Sequence, residues 1–340
     1  MNRLTLAFLL PFLFSPLAVS ADKTDIVVLK NGDRITGEVK SLQARLLEFD
    51  TDAMGTVAIE WRYIDQVISK DKQSVDTTDG RRFLGRLIAV EGSDDIGLQT
   101  DTELVELDPN EVFSVWPVKS TFWDRSDFDI SVGLDYQKST EITDLNLAVD
   151  WQHRRYDRLT EASLRNDITR QPEADDQNRS QLQFAHQYIR PDRRFNAWLG
   201  SAESNESLGL DYRVYAGGVY GKYLIRQSDY WFSLAGGLVG TEEKYTGASG
   251  NTSLEAVLNA QFNLYRYADP ERSLQSRLTL FPSVTESGRL RSDFRTTFKL
   301  ELVNDLYWSL ELYYQGDTDP PPQAVNSIDY GITTSLGWSP

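Results

Sequence analysis

Phe294-Arg295-Thr296-Thr297-Phe298-Lys299-Leu300-Glu301-Leu302 alternates apolar with ionic or hydroxylic side chains, and the chain resumes the same beat at Leu306, Trp308, Leu310, Leu312 and Tyr314. A period of two puts one set on each face of an extended strand. The same beat runs through Ile130, Val132, Leu134 and Tyr136, through Leu145, Leu147, Val149 and Trp151, and through Ile328, Tyr330, Ile332, Leu336 and Trp338. Working outward in both directions, the pattern predicts twelve strands, near 128–138, 143–152, 158–168, 178–189, 194–203, 209–224, 229–241, 252–266, 273–284, 290–303, 306–316 and 326–338. Segments of about ten residues exceed the usual five or six of soluble strands and match the 9–11 tilted residues that cross a bilayer.

A β-sandwich, a soluble barrel and a membrane barrel share this alternation, which by itself does not say which face is outside. The charges weigh toward the last. Asp135, Asp150, Arg165, Asp167, Arg213, Arg277, Arg295, Lys299, Glu301 and Glu311 sit on the polar face, where a dry core would penalise them and a hydrated lumen accepts them. Trp151, Tyr188, Trp198, Trp231, Trp308 and Trp338 lie near strand ends, the expected placement of aromatic girdles at headgroup level. Connections alternate in length. Arg154-Arg155-Tyr156-Asp157, Arg190-Pro191-Asp192-Arg193 and Asn304-Asp305 are short, whereas the segments at 171–176, 246–251 and 318–323 are longer, as expected of periplasmic turns and external loops.

Before residue 120 the texture differs. Residues 25–69 and 74–117 read as two copies of one unit: Asn31-Gly32 matches Asp79-Gly80, Gly37 matches Gly85, and Ala58-Ile59-Glu60-Trp61 matches Leu104-Val105-Glu106-Leu107. The glycine-containing pairs predict hairpins with type I′ turns. Two small SH3-like or Sm-like barrels are expected over 22–118, packed as a pair, with a linker at 119–126 and the barrel over 127–340. Such units serve as a spacer or as a docking module that accepts a strand from a partner.

Met1–Ala21 has Arg3 at its start, an apolar stretch from Leu4 to Val19, and small residues before a cleavage point after Ala21; it predicts a secretory signal peptide. Pro11 and Pro16 interrupt the run too early for a membrane anchor.

Across the 340 residues, 51 Asp+Glu against 35 Lys+Arg give a formal charge of −16, which argues against a nucleic-acid partner. The absence of Cys removes thiolate ligands, Cys nucleophiles and disulfides. His153 and His186, the only imidazoles, are expected at a periplasmic turn and on the lipid face, away from an outer-rim lipase or protease site. No catalytic, cofactor or metal site is predicted, a barrel hydrolase being the least favoured alternative. Gly217-Gly218 and Gly236-Gly237 fall inside strand patterns and so mark close packing rather than a phosphate loop.

The alternating strands from about 127 to the end, the Tyr313-Tyr314 pair before a Pro-rich loop, and the close Asp329-Tyr330-Gly331-Ile332-Thr333-Thr334-Ser335-Leu336-Gly337-Trp338 resemble the salt-induced outer-membrane protein family. That resemblance implies a β-barrel domain of unknown function. Such barrels usually finish on an aromatic residue; here Ser339-Pro340 follow Trp338. The expectation is a non-enzymatic, Gram-negative outer-membrane barrel with a periplasmic tandem module, acting as a narrow polar conduit or an envelope and salt-stress component. Its expected partners are outer-membrane lipid, lipopolysaccharide and the barrel-assembly machinery. The alternative is a barrel-anchored adaptor whose residues 25–117 bind a periplasmic protein.

Overall fold

The computed structural model describes residues 23–138, 141–172, 174–206, 209–267, 270–303, 306–320 and 327–338. The expected signal peptide, the Asn304-Asp305 turn and the terminal Ser339-Pro340 lie outside the described residues.

The N-terminal module contains β1 (Asp25–Leu29), β2 (Arg34–Gln43), β3 (Leu46–Thr51), β4 (Gly55–Glu60), β5 (Ile64–Ile68), β6 (Gln73–Thr77), β7 (Arg82–Ile88), β8 (Ile96–Thr100), β9 (Leu104–Leu107) and β10 (Val112–Pro117). The repeat is explicit in the pairing. β1 lies between β2 and β5, with β3 and β4 following beyond β2; β6 lies between β7 and β10, with β8 and β9 beyond β7. Gly37 and Gly85 occupy equivalent places: a Cβ on the first would lie 2.5 Å from the Asp50 carbonyl oxygen, and on the second 2.4 Å from that of Gln99. Each therefore lets β2 or β7 press against its neighbour.

Two expectations about the module change. The hairpins at Gly32 and Gly80 are not type I′ turns, because only the glycines (φ +90° and +97°) have positive φ and Asn31 and Asp79 do not. Leu29 and Thr77 bond instead to residues four positions on, at Asp33 and Arg81, which is the three-residue loop closed by a left-handed glycine. The two units are also not separate barrels. A Val115–Leu42 bridge joins β10 to β2, making one ten-stranded sheet. A single apolar core runs through both units, including Val27, Leu42, Phe49, Leu87, Leu98 and Val115. Two units of this size have too little interior each, and sharing one buries more apolar surface.

After a short turn at Trp123–Arg125 come β11 (Ser126–Gln137), β12 (Ile142–Arg155), β13 (Arg158–Gln171), β14 (Ala174–Ile189), β15 (Arg194–Asn205), β16 (Leu210–Arg226), β17 (Tyr230–Tyr245), β18 (Asn251–Arg266), β19 (Arg272–Pro282), β20 (Leu290–Val303), β21 (Leu306–Asp317) and β22 (Ile328–Trp338). These follow the twelve predicted segments to within a few residues. Each pairs antiparallel with the next in a single twelve-stranded sheet. The sheet is curled, since side chains of non-adjacent strands meet on one face: Tyr215 of β16 contacts Phe281 of β19 with ring centroids 6.0 Å apart. It is not closed. β11 and β22 each have one neighbour, so the expected barrel is met in strand number, order and sense but not in a closing seam. Closure depends on tilt and stagger summed over all strands, which alternation within each strand does not encode. Among the described residues no helix is long and apolar enough to cross a membrane, which says nothing about crossing by strands.

Candidate functional site

The cross-strand register assigns every side chain of the twelve-stranded sheet to a concave or a convex face. On β17 and β18 the convex face carries Leu234, Leu238, Leu254 and Leu258, all exposed (Leu238 53%, Leu258 52%). The concave face carries Ser233, Thr241, Glu243, Ser253, Glu255 and Asn263, all buried (Glu243 2%, Glu255 1%). Val239 and Val257 are buried among them, but on these two strands the buried face is mostly polar and the leucines are exposed, the reverse of the module.

Buried charge requires partners. Arg213 lies 2.9 Å from Glu243 and 4.0 Å from Glu203. Arg289, in the connection after β19, lies 2.6 Å from Glu243, 2.7 Å from Asp317 and 2.8 Å from Glu286. Burial pulls the Arg289 pKa down, but the bonds to Asp317, Glu243 and Glu286 outweigh it and raise the value. Nearby, Arg291 Nε donates to Glu255 at 2.8 Å, and the Thr241 hydroxyl donates to the same carboxylate. This network fills the concave side between β15 and β21 at the end remote from the module. Beside it opens a cavity of about 710 Å³ lined by Tyr245, Asn251, Glu286 and Arg289.

All ten charges predicted on the polar face lie on the concave face. The register aligns Asp135 with Asp144, Asp150 with Asp129, and Arg165 and Asp167 with inward-facing residues of β12. It likewise aligns Arg213 with Glu243, Arg277 with Arg295, Lys299 with Ser273, Glu301 with Tyr307, and Glu311 with Thr297. Among them, Arg165 holds Asp150 at 2.8 Å, and Arg213 joins the network above. Sequence reasoning missed Glu203, Glu243, Glu255 and Arg291; only Arg291 lies on a strand with predicted charges, β20, where it shares the parity of Arg295, Lys299 and Glu301.

Five of the six aromatic candidates, Trp151, Tyr188, Trp198, Trp308 and Trp338, lie on the convex face toward the module end. Trp231 does not. It shares the parity of Ser233 and Glu243 and so faces the concave side, edge-on to Tyr223 with centroids 5.4 Å apart. The consecutive aromatics Tyr230-Trp231-Phe232 hid this in the sequence. The opposite end has its own convex ring of tyrosines, Tyr136, Tyr212, Tyr314 and Tyr330, which strand parity would have identified.

Both imidazoles are on the convex face, each within a strand; His153 is thus a strand residue, not the turn residue expected. His153 stacks on Phe122 at 4.8 Å and bonds Ser126. His186 bonds the Thr160 hydroxyl at 2.7 Å. Among the described residues neither ring has a carboxylate hydrogen-bond partner. Among the described residues no three His, Asp or Glu converge as metal ligands.

The module covers one end of the sheet. Arg226 at the end of β16 is buried and lies 3.5 Å from Asp76 of β6, with its guanidinium 4.1 Å from the Phe113 ring. Arg154 of β12 lies 3.7 Å over the Trp116 ring. Arg45 Nε donates to Ser228 at 2.8 Å, Arg82 to the Ile189 carbonyl at 3.3 Å, and Arg62 to that of Tyr267 at 3.4 Å. Burial pushes the Tyr267 phenol up to about 12. Arg226 reaches the concave side only because a bulge between Tyr223 and Ile225 reverses the parity of β16 there, which no sequence pattern signalled.

Residues 124–339 match the family described as a protein of unknown function, DUF481. The chain belongs to that family. No curated protein and no solved structure matches it. In this DUF481 protein the matched region coincides with the twelve-stranded sheet, and the tandem module lies outside it.

Proposed function

We propose that the DUF481 region is an outer-membrane β-barrel, closed by β11 and β22, whose convex leucines meet acyl chains and whose concave charges face water. One observation carries this: most of the sheet's buried side chains are polar or ionic, with Val239, Val257 and Leu210 among the few buried apolar ones, while most of its large apolar side chains are exposed. In water such a surface would aggregate. β11 and β22, of 12 and 11 residues, carry apolar residues on the same convex face and run antiparallel, so each satisfies the other's open edge. Tyrosines at one end and mostly tryptophans at the other supply the two girdles.

In this reading the module is periplasmic and the protein is a passive, non-enzymatic element of the envelope, either a narrow polar conduit or a component of the salt-stress response. Lipid and lipopolysaccharide surround it, and the barrel-assembly machinery inserts it after a signal peptide is removed. The ion-paired filling between β15 and β21 and the module across one mouth favour a narrow or gated path over an open pore. A second reading, an adaptor, rests on β4 and β9, which are free edges of the ten-stranded sheet and suit strand addition by a periplasmic partner.

The test is migration of the membrane fraction in SDS gels with and without boiling. A closed barrel runs faster unboiled; an unshifted band, or recovery in the soluble periplasm, overturns the assignment. Planar-bilayer recording then separates conduit from anchor.

A further inference from the structure

Arg277 of β19 and Arg295 of β20 stand directly opposite each other on the concave face, near mid-strand. Cross-strand neighbours have Cβ atoms about 4.5–5.5 Å apart, and like charges there destabilise the pair. Elsewhere on this face several arginines have a carboxylate: Arg165 has Asp150, Arg213 has Glu243 and Arg291 has Glu255. Arg277 and Arg295 have neither an ion pair nor a hydrogen bond among the described residues, and both are exposed toward the concavity. Asp293 and Glu311 share the face at diagonal positions. Neither is within ion-pair distance of these guanidiniums, and Asp293 instead accepts a hydrogen bond from Gln315 at 3.1 Å.

The row they occupy is furnished with further donors. Gln261 flanks Arg277 on β18, and Tyr313 flanks Arg295 on β21. Tyr313 packs its ring over Gly331, where a Cβ would lie 2.2 Å from Cε1, so the ring is seated against the wall. Lys299 adds a third cation on the same face of β20.

We propose that Arg277 and Arg295 form an anion-binding site on the concave face, for a small solute bearing carboxylate or phosphate oxygens. Two guanidinium forks side by side match an oxyanion bidentately, and a bound anion removes the repulsion between them. The site rests on the barrel reading, which encloses this face, and it gives any conduit a preference for anions at this level despite the acidic chain.

The test uses the full-length protein folded in detergent micelles, with calorimetric titration of inorganic phosphate and of citrate at low ionic strength. Saturable binding of at least one probe is expected, weakened about tenfold or more in R277Q and in R295Q and retained in R165Q, since each lost fork removes a charge-assisted pair. The tighter probe identifies the oxyanion as phosphate or carboxylate. Absence of saturable binding in protein that shows the heat-dependent gel shift, or equal binding by the R277Q/R295Q double variant, overturns this site while leaving the barrel standing. Protein that never shows the shift overturns both.

Discussion

Phe49 and Glu255 are both almost fully buried, one in each half of the molecule, and their surroundings are opposite in kind. Phe49 of the module sits among Val39, Leu47 and Val75 in an oily interior shared by both repeats. Glu255 of the sheet sits against Arg291 and Thr241, while Leu254 and Leu258 beside it point outward. Both halves are antiparallel sheets of alternating residues. The difference teaches that alternation defines two faces and leaves the surrounding solvent to decide which is buried: water drives apolar faces together in the module, and a lipid environment would reward their exposure in the sheet.

The sharpest way to break this comparison is to truncate each buried residue. Phe49→Ala is expected to cost the module about 3–5 kcal/mol. The readout is increased limited proteolysis within residues 25–117 while the gel shift of the sheet persists. Glu255→Ala should do the converse. It strands a largely buried Arg291 at a cost of about 3–5 kcal/mol, lowering the urea midpoint of the sheet with the module's protease resistance unchanged. A neutral Glu255→Ala would mean the concave face is not held by its ion pairs.

Next in size is Leu238→Arg on the convex face, where a cation near the bilayer midplane costs about 2–4 kcal/mol. Urea unfolding from phospholipid vesicles measures it, and an unchanged midpoint would remove lipid from the convex side. Within the module, Gly37→Ala and Gly85→Ala should each cost about 1–3 kcal/mol through overpacking against a carbonyl. Similar losses by thermal melting sharpen the equivalence of the two repeats; a loss at only one position breaks it.

The smallest expected effect is on pH dependence. Partial burial raises the Asp79 pKa, but the Thr77 hydroxyl, the Arg81 backbone amide and the Arg81 side chain together bring it below the usual carboxylate value. A depressed folded-state pKa contributes stability that is present above the unfolded value of about 3.9 and is lost as pH falls through the folded value. Asp79→Asn should therefore lower the module's stability slightly at neutral pH, with the difference from the parent protein disappearing as pH falls through the folded value, so that the acid limb flattens.

Much of the fold was legible because side-chain alternation is a local property of extended backbone. Each strand could be located from its own residues, and the ten concave charges shared a face because parity survives from residue to residue. The repeat was legible through Gly32, Gly37, Gly80 and Gly85, whose backbone demands recur with the unit. Trp231 was misplaced because three adjacent aromatics give parity nothing to discriminate, and Arg226 was missed because a bulge resets parity mid-strand.

The sequence alone determined where the strands run, which residues share a face, and that the chain has two regions of different texture. Only the tertiary structure decided that the repeats merge around one core, that Glu243 and Glu255 meet Arg289 and Arg291, that the module rests on Arg154 and Arg226, and that β11 and β22 stand as open edges. Those outcomes depend on register and curl summed over many strands, and a side chain's neighbours across a sheet are set by that sum rather than by its neighbours along the chain.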